Sequence, residues 1–437
     1  MNFPNAPQLR GMEAFPPPIK AVHRARIVNP QGPNDCDYHE DGGLAVRADG
    51  TVAAVGDFTL LAVAFADRYE VIDETKHGER PTIIPGMNDL HVHWVQNEVR
   101  GRFRNSLMPW LEEHIWPEEH RYADAQLADA RAQTFFDELA RHGTTVAAVY
   151  SSVHESALRA AFQHAAGRMV IGNVIMTSDF PPYLKQDPEE ALAMTDRFAE
   201  EFGGSYAVTP RFAPSCSAEV LKAAGRIAKQ RNVWVQTHLS ENHDGTEHDE
   251  VELVRRLFPD AKSYTDVYAR AGLLGRHTIM AHVIHASDEE LDVLAQTGTC
   301  VAHCPTSNEA LGSGRMPVER IRERGILYAL GSDVGAGPSL SMLHVMQAYN
   351  RVHAGHADVS ETEALYRGTL AGAEILGVDR VAGNLNRDKE ATFAVLGSPG
   401  TRAYANPNHL LAEIFAGSQA DLEAIVRKTY IAGRRVF

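Results

Sequence analysis

"TIIPGMNDLHVH", residues 82–93, marks the point where the chain changes texture. Before it, "AVHRARIVNP", "LAVRADGTVAAVGDF" and "YEVIDE" read as short strands joined by turns, one of them built on "ADGT". From residue 82 onward, β-branched apolar runs alternate with helical patterns at a spacing of roughly 30 residues, which indicates parallel βα units. The strand candidates are "TIIPGMNDLHVH", "GTTVAAVYSS", "MVIGNVIM", "YAVTPRF", "VWVQTHL", "TIMAHVIH", "CVAHCP" and "ILYALGSD". Between them lie helical patterns such as "SAEVLKAAGRIAKQR" and "SDEELDVLAQTG". Each opens on Ser with a polar or acidic first turn and closes near Arg or Gly, as capped helices do.

Eight strands with intervening helices is the count of a (β/α)8 TIM barrel. An open doubly wound sheet has a similar count, but its Gly-rich first turn is missing here. The tail returns to strand texture with "EATFAVLG" and "VRKTYIAGRRVF". The expected fold is therefore α/β: a barrel over residues 82–384 with a small discontinuous β-sandwich domain assembled from residues 1–81 and 385–437.

A chain of 437 residues has room for one large domain and an accessory one. Its 44% hydrophobic and 23% charged residues are those of an ordinary soluble protein. A net charge of −15 argues against nucleic acid or an anionic membrane as partner. The start, "MNFPNAPQLRGMEAFPPPIK", has no apolar h-region and no stretch is apolar enough to span a bilayer, so a cytoplasmic location is expected. Four cysteines do not make a disulfide framework, and Cys300 and Cys304 in "CVAHC" read as buried thiols of a strand.

In a barrel, catalytic groups project from the C-terminal strand ends. His91 and His93 end the first barrel strand and, being two apart, point the same way. His238 ends the fifth strand, His282 the sixth and Asp333 the eighth. Neutral imidazoles with one carboxylate suit Zn²⁺ or Fe²⁺ with a position left open for water. Such a metal lowers the pKa of water from 15.7 toward about 7. Glu241, three residues beyond His238, is placed to act as general acid/base. His243 and His248, in "ENHDGTEHDE", read as parts of a hydrated loop.

The segments "PGMNDLHVH" with Gln96, "PWLEEHIWPEEHRY", "TPRFAPSCS", "THLSEN", "MAHVIHASDEEL", "VAHCPTSN", "LGSG" and "GSDVGAGPSLSML" resemble the amidohydrolase superfamily, and more closely its guanine deaminases. The resemblance implies one Zn²⁺ per chain on His91, His93, His238 and Asp333, with His282 orienting the attacking water or serving as a weaker ligand. It implies a purine pocket lined by Gln96, Arg211, Phe212, Glu241 and His282, with Arg211 toward the exocyclic oxygen and Glu241 toward the ring nitrogens. It also implies a homodimer. The implied reaction is hydrolytic deamination: activated water attacks C2 of guanine, Glu241 and Asp333 move protons, and ammonia and xanthine leave.

Trp94, Arg100, Arg102, Arg104 and Pro338 depart from the family pattern and leave open a related ring: 8-oxoguanine, isoguanine or a pterin. The arginines also have a plainer reading, as surface residues near acidic helices. A ring-opening relative that cleaves a cyclic amide would hold two metals bridged by a carbamylated lysine at the end of strand four. "YAVTPRFAP" contains no lysine, which favours a single metal. A barrel that had lost its activity would show eroded ligands, and every expected position is occupied.

Overall fold

The computed structural model describes residues 17–65, 69–75, 79–103, 107–178, 181–398, 400 and 402–437. Most of the Pro-rich leader, and Arg104 of the arginine cluster, lie outside the described residues. Five strands come first: β1 (Ile19–Gly32), β2 (Asp35–Arg47), β3 (Val52–Asp57), β4 (Glu70–Asp73) and β5 (Thr82–Pro85). Eight follow: β6 (Met87–His93), β7 (Thr144–Ser151), β8 (Arg168–Ile175), β9 (Ala207–Pro210), β10 (Trp234–Leu239), β11 (Thr278–His282), β12 (Cys300–His303) and β13 (Tyr328–Leu330). The chain ends on β14 (Phe393–Leu396), β15 (Val426–Ile431) and β16 (Arg434–Arg435).

Strands β6 to β13 form one sheet in sequential order, every neighbouring pair parallel, with helices in the connections. This is the (β/α)8 barrel. Its strands are covered on both faces, so they read as continuous apolar runs rather than alternating ones; all of β7 is buried. The helix caps follow the local sequence. Ser217 accepts a hydrogen bond from the Val220 amide to start the helix Ala218–Arg231. Ser287 and Glu290 form a reciprocal capping box on Asp288–Thr297, which ends on the left-handed Gly298.

The barrel closes where β6 meets the chain leaving β13. The amide of Asp333 donates to the carbonyl of His91 at 2.8 Å, and the amide of His93 donates to that of Val334 at 2.9 Å. Asp333 therefore lies three residues past the end of β13 rather than on the strand, because the chain there pairs with β6 instead of continuing beside β12. The approach leaves no room for a side chain at Gly331, where a Cβ would lie 2.8 Å from that of His91. Cys300 and Cys304 are buried and free, as expected, but only Cys300 is on the strand; Cys304 follows its end and precedes the helix Pro305–Ala310.

The second sheet mixes strands from both ends of the chain in the order β16-β15-β14-β5-β1-β2-β3, with β4 beside β1. The run "TIIPGMNDLHVH" is thus two strands. Thr82–Pro85 pairs with β1 and β14, and Met87–His93 with β7. The switch falls at Gly86, where a Cβ would lie 2.2 Å from Thr145 Oγ1 and 2.9 Å from Thr392 Cγ2, so only a residue without a side chain passes between the two sheets.

Buried polar groups tie the N- and C-terminal strands together. Arg26, with its side chain fully buried, donates to Glu40 at 3.0 Å, to the Arg80 carbonyl at 3.0 Å and to the Arg402 carbonyl. Asn29 donates to Asn386 at 3.2 Å and accepts from the Leu385 amide at 2.7 Å. The Phe393 and Tyr430 rings stack 4.5 Å apart, with His23 edge-on to both. Removing the Arg26 guanidinium takes this donor from the carbonyls of Arg80 and Arg402 and leaves Glu40 without one of its partners. Arg26→Ala should therefore lose about 2–3 kcal/mol of stability. A fall in the midpoint of thermal unfolding, with the activity of the remaining folded protein unchanged, is the expected result.

Candidate active site

At the C-terminal end of the barrel, strand geometry brings together the side chains that the sequence places on different strands. His91 and His93 leave β6 on the same face, and their Nε2 atoms lie 3.2 Å apart. His93 Nε2 is also 3.2 Å from His238 Nε2 on β10. Asp333 Oδ1 lies 3.1 Å from His91 Nε2 and 3.6 Å from His93 Nε2. His282, the last residue of β11, turns Nε2 toward Asp333 Oδ2 at 3.7 Å and Glu241 Oε2 at 3.4 Å. One donor atom each of His91, His238, His282 and Asp333 fall within 4.8 Å of one another, with His93 beside them.

These donors suit a divalent cation. Burial holds the imidazoles of His91, His93 and His238 well below their usual pKa, so they are neutral, as ligands must be. Their Nε2 atoms face one another rather than conventional hydrogen-bond partners. The separations of 3.1–3.2 Å match the edge of a tetrahedron, about 3.3 Å for bonds of about 2.0–2.1 Å. The outer nitrogens of two rings are anchored: the Arg211 carbonyl accepts from His238 Nδ1 at 2.6 Å, and Asn308 Oδ1 accepts from His282 Nδ1 at 2.9 Å. Each bond fixes which nitrogen faces the centre.

The adjoining cavity is lined by His93, Gln96, Leu107, Trp110, Leu111, Arg211, Phe212, His238, Glu241, Glu250 and Asp333. Every site residue singled out in the sequence either lines it or belongs to the cluster beneath it, so the geometry unites all of them. Glu241 is buried, and its carboxyl is held well above the usual range, first by burial and then by the neighbouring charges of Asp333 and Glu250. Burial likewise raises the Asp333 carboxyl, opposed by the charge of His282.

Four residues at the site take left-handed backbone conformations: Ser240 (φ 51°), His282 (φ 72°), Val283 (φ 51°) and Asp333 (φ 50°). For a β-branched residue such as Val283 this is a strained conformation. His243 and His248, expected in a hydrated loop, are both exposed there; His243 is also tethered to the buried Asp249 at 2.8 Å. Arg100 bonds to Glu138 at 3.2 Å and does not line the cavity, which favours the plainer reading of that residue.

The sequence reading gave no role to four buried groups that hold these residues. Glu250 accepts from the backbone amides of Glu241 and Asn242 at 2.9 and 3.1 Å and from the Tyr264 hydroxyl at 2.7 Å. Asp89, which burial raises to about 7, accepts from the Ser332 amide at 2.8 Å and from its hydroxyl. Glu119 bridges Arg211 and Gln96. Asn308 orients His282. Glu119 and Asn308 fall inside the family-like segments, but nothing near them in the chain marks the distant partners that give them their roles.

The amidohydrolase family model matches residues 82–436, and the chain belongs to that family. Guanine deaminase of Escherichia coli is 35% identical over 413 residues, spanning 92% of each chain. The E. coli guanine deaminase structure superposes with a TM-score of 0.84 at 31% identity, covering 95% of this chain and 99% of that one. A guanine deaminase structure from C. acetobutylicum with bound guanine gives 0.80 at 27% identity, covering 95% and 100%.

If the cluster is one cation site, exhaustive chelation should lower the unfolding midpoint. One equivalent of Zn²⁺ should restore it, since a ligand in thousandfold excess over its Kd stabilises by about 4 kcal/mol. Gly331→Ala, whose added Cβ would crowd His91 beside Asp333, should bind markedly less metal in the same titration.

Proposed function

We propose that this protein hydrolyses guanine to xanthine and ammonia, with one Zn²⁺ held by His91, His93, His238 and Asp333 and with His282 turned toward the same point. The observation that carries this reading is the meeting, at one cavity, of that donor cluster with a buried carboxyl at Glu241 and a polar wall at Gln96 and Arg211. The 35% identity to a guanine deaminase across 92% of the chain supports the choice of ring. A divalent cation bound there lowers the pKa of a water molecule toward about 7, which makes it a nucleophile at neutral pH.

The chain's own groups do the rest. Glu241, whose carboxyl burial keeps able to carry a proton, delivers one to the ring nitrogen beside C2. Asp333 takes one proton from the attacking water and hands it to the amino group, which leaves as ammonia when the C2–N bond breaks; the second proton, released as the C2 carbonyl forms, reloads Glu241. His282, its Nδ1 committed to Asn308, presents Nε2 to the same space and orients the water. Arg211 and Gln96 donate hydrogen bonds to the exocyclic oxygen, and Phe212 packs against the ring. Among the described residues no helix is long and apolar enough to cross a membrane. The family resemblance also supports a cytoplasmic homodimer acting in purine breakdown.

Glu241→Gln removes the proton carrier without touching the cation donors. It should retain bound metal and thermal stability while kcat for ammonia release falls by about 10²–10⁴. Against guanine, 8-oxoguanine, isoguanine, pterin and adenine, the wild-type protein should show its highest kcat/KM on guanine. A strong preference for pterin would reject guanine as substrate and leave the metal chemistry standing.

A further inference from the structure

Glu119 lies in the short helix Trp116–His120, away from every barrel strand, and is 1% exposed. Both of its oxygens accept from Arg211 Nη1, at 2.6 and 2.7 Å, and Oε1 also accepts from Gln96 Nε2 at 2.8 Å. On its other side the Gln96 amide is fixed again, because Oε1 accepts from the Gly335 backbone amide at 3.2 Å. A carboxylate only accepts and a backbone amide only donates, so the two neighbours force the same orientation on Gln96. The second N–H of Gln96 and the Nη2 and Nε groups of Arg211 bond to none of the described residues, and both side chains line the cavity, so these donors are left for a ligand.

That wall is made of donors alone. It matches a ring edge that presents a carbonyl oxygen and repels one that presents an amino group, where donor would meet donor. The pair also has no net charge: the Arg211 guanidinium is already matched by a buried carboxylate, so the wall suits a neutral ring edge rather than an anionic one. We infer that Glu119 is the positioning residue that sets substrate choice, by locking Gln96 and Arg211 into a donor-only wall that selects a 6-oxo over a 6-amino purine. The inference rests on the deaminase reading above and extends it to a residue that does not itself touch the ring.

The discriminating pair is guanine and 2,6-diaminopurine, which share the 2-amino leaving group and differ at position 6. In Glu119→Gln the new amide offers a donor to Gln96 and one acceptor fewer to the wall. The Gly335 amide still orients Gln96, but the carboxylate that held Gln96 and Arg211 together is gone, Arg211 loses its fixed position, and the preference for the oxygen disappears. The kcat/KM for guanine should fall by about 10²-fold or more, chiefly through KM, while that for 2,6-diaminopurine changes by less than about 3-fold. Glu119→Asp, which keeps the charge but not the reach, should fall between the two. Metal content and unfolding midpoint are measured alongside.

Should Glu119→Gln fail to fold, Gln96→Leu leaves the Arg211–Glu119 pair in place and should reduce the guanine preference in the same direction. Equilibrium binding of the two purines to each metal-loaded variant is the second readout, and its ratio should shift in parallel. A proportionate loss on both purines, or an unchanged ratio, overturns the role assigned to Glu119 while leaving the deaminase reading intact. A wild-type protein that binds guanine in preference to 2,6-diaminopurine but releases no ammonia overturns the deaminase reading. The binding ratios of the variants then still decide the role of Glu119.

Discussion

Closing a barrel of parallel strands requires the last strand to find the first, and here that contact is made by very few residues. β13 is only three residues long, and the seam with β6 is carried by hydrogen bonds from Asp333 to His91 and from His93 to Val334, beyond the end of the strand. The residues that close the fold are therefore the residues that meet at its mouth. Asp89 reinforces the seam from below through Ser332, with one oxygen also accepting from the His91 amide at 3.3 Å. The separation of the imidazoles from the Asp333 carboxylate is fixed by backbone hydrogen bonding rather than by flexible side chains. This is how a cluster of donors can be held ready before any ion arrives.

The same burial imposes an electrostatic problem, and the carboxylates around the mouth meet it in different ways. Glu119 is neutralised by Arg211. Glu250 is surrounded by two backbone amides and a tyrosine hydroxyl. Glu241 has neither arrangement; it faces the His282 ring at 3.4 Å and the charges of two other carboxylates. Groups with a fixed partner make structure. Burial raises the proton affinity of Glu250 as well as that of Glu241, but Glu250 is tied by its three donors, whereas Glu241 has no such fixed arrangement and can pass its proton on. Roles follow from surroundings, since all three residues have the same side chain.

What was legible in the sequence is what depends on near neighbours in the chain. The alternation of apolar runs and helices gave the barrel, Ser217 and Ser287 gave helix starts, and histidines at strand ends gave the cluster. The split of residues 82–93 at Gly86 was not legible, because the apolar pattern is continuous across it and only pairing with Ala394 and Val146 separates the halves. Glu119 was invisible for a similar reason. "WPEEH" reads as an acidic helix end, and its meaning comes from Arg211, 92 positions away, and Gln96, 23 away. A carboxylate that positions others leaves no local mark.

A strand that ends in an ordinary turn carries its last side chain away from the barrel axis. Ser240, His282, Val283 and Asp333 instead bend the backbone sharply just where β10, β11 and the β13 extension reach the mouth. Such conformations cost of order 1–3 kcal/mol each for residues other than glycine. They persist because surrounding bonds over-determine them: the Val283 amide is held by the Leu239 carbonyl at 2.9 Å, those of Ile284 and His285 by Ser240, and that of Asp333 by His91. Glycine would relieve the strain at each position, but it would remove the imidazole of His282 and the carboxylate of Asp333, the side chains the bends serve to aim. The strain is concentrated where the chemistry needs both a bend and a functional side chain at one residue.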